Sequence, residues 1–287
     1  MENLIKDAYD LHMHTGPDVV PRKANDYEVA QKAAEYGMRG FVIKAHYSNT
    51  GPRAGIMRSL FPALKVIGAL ALNNAMGALN PIAVELGARD GIKILWFPTM
   101  DAQNMKEYYI RNGAPIPAGC AYQDARLIEG LTILDEKGKM KPVVYDIIDL
   151  VVKHDLVLCT GHLSPHEATL LLTAARERGV KRLIATHPEF PPTAATMEEQ
   201  KEYVRLGAKV EHNLLNIIEN IITPADFAKQ IRWVGVENVI ISSDLGQAKN
   251  PHPTEGFNEL LHKLIPEGIT PDEIRTMIVK NTRELVE

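Results

Sequence analysis

Short apolar segments alternate with longer amphipathic segments along most of the chain. The apolar segments are bounded by glycine, proline and polar residues, as is typical of strands that are buried on both faces. The predicted strands cover residues 7–14, 41–46, 65–72, 92–97, 156–160, 182–186, 208–211 and 239–242. The predicted helices cover residues 26–36, 80–87, 146–154, 164–179, 198–206, 223–234 and 270–281.

Strand and helix alternate about eight times, which predicts an α/β fold of the single (β/α)8 TIM-type barrel class. The alternative is an open doubly wound sheet, but no glycine-rich phosphate loop follows the first strand. We therefore expect one domain over residues 1–287. Residues 99–145 interrupt the repeat after the fourth strand as an insertion. Within it, residues 136–139 lie between two apolar runs and predict a β-hairpin.

The composition of the chain excludes several classes of protein. The chain has 287 residues, 45% hydrophobic and 24% charged, with a formal net charge of −4. This balance argues against a nucleic-acid partner, and no apolar run is long enough to span a membrane. The N-terminal residues lack the pattern of a signal peptide, and the two cysteines do not suggest a disulfide framework. We expect a cytoplasmic protein that acts on a small molecule, and the sequence leaves homo-oligomers open.

The first strand ends in the motif His12-Met13-His14. Residues two apart in an extended strand point to the same side, so both imidazoles are expected to face one spot. Imidazole is the commonest protein ligand of transition metals, and two on one face make half of a metal site.

Further polar side chains follow other strands. Because catalytic groups of such barrels lie at the carboxyl ends of the strands, these residues are candidates for the same site. They are Lys44 and His46 at the end of the second strand, His162 after the fifth, His187 after the sixth, His212 after the seventh and Asp244 after the eighth.

The order H-x-H, His, His and Asp on strands one, five, six and eight resembles the amidohydrolase superfamily of metal-dependent hydrolases, in particular its phosphotriesterase-like, TatD-like and uncharacterised branches. Residues 280–285 also resemble the terminal helix of that family. The resemblance implies one or two divalent ions, zinc by preference. His12 and His14 would bind the more buried ion, and His162 and His187 a second ion or the substrate. Asp244 would contact metal and take a proton from the attacking water.

One feature departs from the family pattern. Two-metal members carry a carboxylated lysine or a glutamate at the end of strand four, where this chain reads Trp96-Phe97-Pro98-Thr99. Lys44, on the same face as His46, is the nearest substitute. Lys44 is therefore expected to be carboxylated and bridge metals, to bind a substrate anion, or to pair with Asp10. A site with a single metal also stays open.

Four residues near the expected mouth are predicted to bind substrate: Arg53, Asn73, Glu189 and His212. Arg22, on the first loop, has the same chemistry as Arg53 for a carboxylate or phosphate. The function predicted is cleavage of an amide, lactone, cyclic imide or ester bond of a small molecule. The alternatives are a PHP-type or phosphotriesterase-like phosphoesterase and a non-catalytic barrel stabilised by metal.

Overall fold

Eight parallel strands form one sheet in a computed structural model that describes residues 2–117 and 119–287. Their order in the sheet follows the sequence from β1 to β8. The strands are β1 (Tyr9–His14), β2 (Gly40–Lys44), β3 (Lys65–Ala71), β4 (Ile92–Trp96), β5 (Val157–Cys159), β6 (Leu183–Ala185), β7 (Ala208–Asn213) and β8 (Val239–Ser242). Backbone hydrogen bonds from Asp244 N to His12 O (2.8 Å) and from His14 N to Leu245 O (2.8 Å) bring the two edges together. The predicted (β/α)8 barrel is confirmed.

Helices surround the strands. They are α1 (Asp26–Glu35), α2 (Gly51–Leu60), α3 (Pro81–Arg89), α4 (Gln103–Asn112), α5 (Pro142–Lys153), α6 (Pro165–Glu177), α7 (Met197–Arg205), α8 (Leu215–Ile218), α9 (Pro224–Val234), α10 (Pro253–Leu261), α11 (Pro271–Arg275) and α12 (Asn281–Val286). The sequence analysis did not predict α2, α4, α8 or α10. Helix α2 begins at Gly51-Pro52 and contains Gly55, residue types that more often mark turns. None of the helices in the described ranges is long and apolar enough to cross a membrane.

Two layers of apolar packing hold the barrel. The interior layer includes Tyr9, Leu11, Val42 and Trp96, and the final helix closes it with Leu285. The outer layers pack the strands against the surrounding helices. Because this packing fills the barrel below the strand ends, the polar residues at those ends form a separate layer.

Strand β1 contains a β-bulge between Asp10 and Met13, where the pairing with β2 shifts by one residue. Tyr9 and Leu11 face the barrel interior, whereas Met13 packs in the outer layer. The extra residue turns His12 and His14 inward directly after Leu11. Bulges commonly redirect side chains beside active sites in this way.

The segment between β4 and α5 differs from the predicted insertion. It contains α4 and a short 3-10 helix (Ala125–Leu127). The predicted hairpin is reduced to a tight turn closed by one antiparallel bridge between Leu134 and Met140, without flanking strands. Asp135 stabilises this turn, because its carboxylate accepts hydrogen bonds from the backbone amides of Lys137 and Lys139.

Candidate active site

Three side chains converge at the carboxyl ends of β1 and β8. Nε2 of His12 and Nε2 of His14 each lie 3.1 Å from Oδ1 of Asp244. The three potential ligand atoms lie within 4.8 Å of one another, and both histidines are buried. This trio combines two imidazole nitrogens with one carboxylate oxygen, the donor types that Zn²⁺ and similar ions accept.

Asp244 is held in place by its backbone and its neighbours. Its φ of 52° is a left-handed conformation that aspartate tolerates better than most residues. Asn213 Nδ2 donates a hydrogen bond to Oδ2 of Asp244 at 3.2 Å. Burial alone would raise the pKa of the Asp244 carboxyl, but His12 and His14 hold this pKa well below its ordinary value.

Behind His12 lies Glu211, a residue that the sequence analysis missed. Glu211 is fully buried on β7, and its Oε2 lies 3.2 Å from Nδ1 of His12. Its other oxygen accepts a hydrogen bond from Ser242 Oγ at 2.9 Å. An imidazole that donates from Nδ1 to a carboxylate presents the lone pair of Nε2, the arrangement found behind metal-ligating histidines. Strand alternation could have found Glu211, because it shares the inward face of β7 with Asn213.

Lys44 lies on the opposite side of His12, with Nζ 2.5 Å from Nε2 of that histidine and 4.9 Å from the Trp96 ring centre. Burial lowers the pKa of Lys44 to about 8, while the charges of Asp244 and Glu211 oppose this shift. No ion pair joins Lys44 to Asp10 among the described residues. Asp10 Oδ1 instead accepts hydrogen bonds from the backbone amides of His12 and Ser243. The structure does not support the predicted Lys44–Asp10 pair.

Three further histidines extend the cluster away from the trio. The ring centres of His14 and His46 are 4.8 Å apart, and those of His162 and His187 are 4.9 Å apart. Burial lowers the pKa of His46 and of His162 well below the ordinary value, and that of His187 to about 4. The rings are therefore neutral at pH 7, the form that can ligate a metal or donate a single hydrogen bond.

The donor set fits a divalent cation. Nδ1 of His14, His162 and His187 are buried and have no hydrogen-bond partner among the described residues. Buried polar atoms are rarely left unpaired, so such atoms in one cluster indicate that a ligand completes the site. Of the predicted metal ligands, the structure places His12, His14 and Asp244 in the tight trio. Lys44 lies against the trio, and His46, His162 and His187 lie around it.

A cavity of about 450 Å³ opens above these residues. Its polar lining includes His14, Lys44 and Asp244, and also Arg22 from the first loop. Its apolar wall comes largely from the segment after β4 and from the loop after β6, through Met100, Tyr109, Ile116 and Phe190. This volume is suited to a small molecule.

The four residues that were predicted to bind substrate are not among the described residues that line the cavity. Arg53 is bound to Asp26 and Thr15. Asn73 donates hydrogen bonds to the backbone oxygen of His46 and to Thr99, and so supports the loops.

Glu189 and His212 pair with each other, with 2.9 Å between Oε2 and Nδ1. His212 points away from the interior because it alternates with the inward-facing Glu211 and Asn213 on β7. The strand-end rule identified the correct loops, but it could not tell which side chain of each loop turns inward.

Comparison with solved structures gives the same type of barrel. An amidohydrolase from Pseudomonas aeruginosa has a TM-score of 0.64 at 13% identity, covering 99% of this chain and 96% of that chain. A TatD homologue from Escherichia coli K12 has a TM-score of 0.59 at 15% identity, with 98% of each chain covered. The organophosphorus hydrolase of Deinococcus radiodurans has a TM-score of 0.60 at 11% identity, covering 100% and 94%. The predicted amidohydrolase-superfamily barrel is confirmed as a fold.

Sequence comparison adds a family but no activity. No curated protein matches the chain. A family model described as a family of unknown function, DUF6282, matches residues 7–211, which is well over half of the sequence. The matched range contains every predicted site residue except His212 and Asp244. The chain belongs to the DUF6282 family.

Proposed function

We propose that this protein is a metal-dependent hydrolase that cleaves an amide, lactone, cyclic imide or ester bond of a small molecule. The observation that carries the proposal is the convergence of His12 Nε2 and His14 Nε2 on Asp244 Oδ1, at 3.1 Å each. The hydrolases among the proteins with a similar fold add support.

His12, His14 and Asp244 would hold the first ion, for which we propose zinc. His162 and His187, with His46 beside them, are the candidates for holding a second. A divalent ion bound here would supply an activated water with a pKa near 7 and would polarise the bond to be cleaved.

The protein groups have separate tasks in this proposal. Asp244 is ionised at neutral pH, because its pKa is held low, and is therefore in the form that accepts a proton from water. His187 is neutral, so it can donate one N–H to an oxygen of the substrate. The residues of the cavity wall exclude bulk water from these groups.

Two roles are proposed for Lys44. A lysine carboxylated on Nζ would supply the carboxylate that is absent from the end of β4. A lysine that stays cationic would instead bind an anionic group of the substrate. The contact with His12 supports both, because each role places Nζ beside the ion-binding trio.

The localisation and the type of partner that the sequence predicts are also part of the proposal. We propose a cytoplasmic enzyme, because Cys120 and Cys159 are both free thiols in the structure. We propose a small-molecule substrate on the basis of the cavity volume.

Metal content and hydrolysis together test the function. Protein purified without a chelator should carry about one to two equivalents of a first-row divalent ion, because several nitrogen and oxygen donors converge. It should hydrolyse at least one member of a panel of amides, lactones, cyclic imides and esters. Removal of the ion should abolish turnover, and zinc should restore it. Full activity in metal-free protein would contradict the proposal, and bound metal without hydrolysis would favour the non-catalytic barrel.

A further inference from the structure

We propose that Arg22 forms an anion-binding subsite in the cavity, and that the substrate carries a carboxylate or phosphate group in addition to the bond that is cleaved. The identity of this ligand as the substrate rests on the proposed function. The anion site itself rests on the geometry around Arg22.

Arg22 is fixed at the cavity wall. Its side chain is only 2% exposed and lines the cavity together with His14 and Asp244. An antiparallel bridge joins Arg22 to Gln247, and Lys23 N donates a hydrogen bond to Gly246 O at 2.8 Å. The first loop is thus attached to the loop after β8, which carries Asp244.

Among the described residues, the Arg22 guanidinium makes a side-chain hydrogen bond only through Nε. Nε of Arg22 donates to Oδ2 of Asp18 at 2.7 Å. Nη2 forms an ion pair with the same oxygen at 2.6 Å, but within the described part of the chain it has no partner in hydrogen-bonding geometry. Among the described residues, no hydrogen bond uses Nη1 either. A buried guanidinium that is paired with Asp18 on one side and has Nη1 unused can still bind a carboxylate or phosphate.

Arg53 provides a contrast, because it is also a partly buried arginine paired with an aspartate. Its Nε and Nη2 donate to the two oxygens of Asp26 at 2.8 and 2.7 Å, and Nη2 also reaches Thr15. Its Nη1 is buried and has no partner in the described ranges, and Arg53 is not among the described residues that line the cavity. Arg53 therefore holds the first loop to α1 and α2, whereas Arg22 lines the cavity.

Two basic side chains line the inner part of the cavity. They are Arg22 and Lys44, which lie in the lining together with the carboxylate of Asp244. At the rim, Lys249 is neutralised by Glu219 at 3.0 Å. A bound cation would make the floor of the cavity more positive still. Together with the apolar wall, this predicts a small organic acid with an apolar body.

A pair of esters with the same leaving group tests the subsite. Mono-p-nitrophenyl glutarate carries a distal carboxylate, whereas p-nitrophenyl butyrate is neutral. The wild-type protein should prefer the glutarate ester in kcat/KM. Arg22→Gln should reduce that preference about 10- to 100-fold, as expected for the loss of hydrogen bonds to a charged group. Arg53→Gln, the matched control, should keep the preference even if it lowers the melting temperature.

Binding provides a second readout that does not depend on turnover. Glutarate and inorganic phosphate are added separately to chelator-treated protein, and the shift in melting temperature shows which anion binds. The shift should vanish in Arg22→Gln. It should also vanish in the double variant Asp18→Asn/Arg22→Gln, which removes both charges and so leaves no buried unpaired carboxylate.

The outcomes distinguish a failure of the anion subsite from a failure of the hydrolase function. Equal ester preference, or equal anion-induced shifts, in wild type and in the Arg22 variants would overturn the anion subsite. Anion binding that depends on Arg22, without hydrolysis of any ester or other panel compound, would support the subsite and reject the hydrolase function.

Discussion

At the scale of single residues, Glu211 determines which nitrogen of His12 faces the cavity. The 3.2 Å contact between Glu211 Oε2 and His12 Nδ1 leaves Nε2 for the ion. We expect Glu211→Gln to weaken metal binding about 10- to 100-fold while the barrel stays folded, because the amide no longer fixes the tautomer by charge. Competition with a chromophoric chelator measures this affinity.

Ser242→Ala is the matched control for this prediction. It removes only the 2.9 Å hydrogen bond from Ser242 Oγ to the other oxygen of Glu211, so the carboxylate charge stays beside His12. Its effect on metal affinity should be smaller. Wild-type affinity in Glu211→Gln would show that Glu211 does not position His12.

Among the single residues, Asp244 has the proposed role that is most directly linked to turnover. If it accepts a proton from water, Asp244→Asn should lower kcat at least ~100-fold, the usual contribution of a positioned base. Steady-state kinetics on protein of measured metal content tests this, and a melting curve verifies the fold. An unchanged kcat would remove Asp244 from the mechanism.

Lys44→Ala distinguishes the two roles proposed for that lysine. If Lys44 is carboxylated, the variant should lose metal and activity, and a small carboxylate or bicarbonate should restore part of both. If Lys44 binds a substrate anion, metal content should stay at the wild-type level while KM rises. Elemental analysis and kinetics with and without added acetate measure both quantities. Unchanged metal and kinetics would contradict both roles.

How far the sequence predicted the site depends on where each residue lies relative to a strand end. His12, His14, His162, His187 and Asp244 were recognisable because histidine and aspartate are conspicuous after apolar strands. Arg53, Asn73, Glu189 and His212 were placed at the mouth by the same rule. Their direction depends on loop conformation, which the sequence pattern does not contain. Glu211 was missed because the pattern at the other strand ends favours histidine, and the next residue, His212, fits that pattern.

At the scale of elements, the loop between β5 and α6 shows how the backbone sets the position of a site residue. Gly161 precedes His162, has a φ of 64°, and lies where a Cβ would be 2.3 Å from Phe97 O. Gly179 has a φ of 87° but has open space around its Cβ position. It therefore isolates the cost of the backbone conformation alone.

We expect Gly179→Ala to lower the free energy of unfolding by about 1 kcal/mol, the cost of a left-handed alanine. Gly161→Ala should cost about 1–3 kcal/mol more, because the new methyl group meets backbone atoms that cannot rotate away. Urea unfolding of both variants measures the difference. Equal losses would show that the β5–α6 loop can shift to accept a side chain.

Burial and packing explain which strands and helices could be predicted from the sequence. The strands were found because runs of apolar residues are required wherever both faces are buried. Helix α2 was missed because tertiary packing of Ala54 and Met57 outweighs its glycines. The bulge in β1 leaves no mark in the apolar pattern, since Leu11 and Met13 are both apolar and both buried, one facing in and the other out.

At the scale of the whole molecule, the site and the core are separate layers. The double variant His12→Ala/His14→Ala should therefore lose its metal and keep a folded barrel. Elemental analysis and circular dichroism measure the two properties on the same sample. Retained metal would remove these histidines from the site. An unfolded double variant would show that the ligands also maintain the barrel.

The bulge in β1 has a consequence for how this strand can vary in length. Tyr9 and His12 both face inward although three positions separate them, an odd interval that regular alternation forbids. Deleting one residue between them would make the interval even, so a regular strand without the bulge would keep both histidines facing inward. Replacing Leu11 by another apolar residue leaves the phase unchanged. The bulge in β1 therefore accommodates one extra residue while both histidines keep their inward direction.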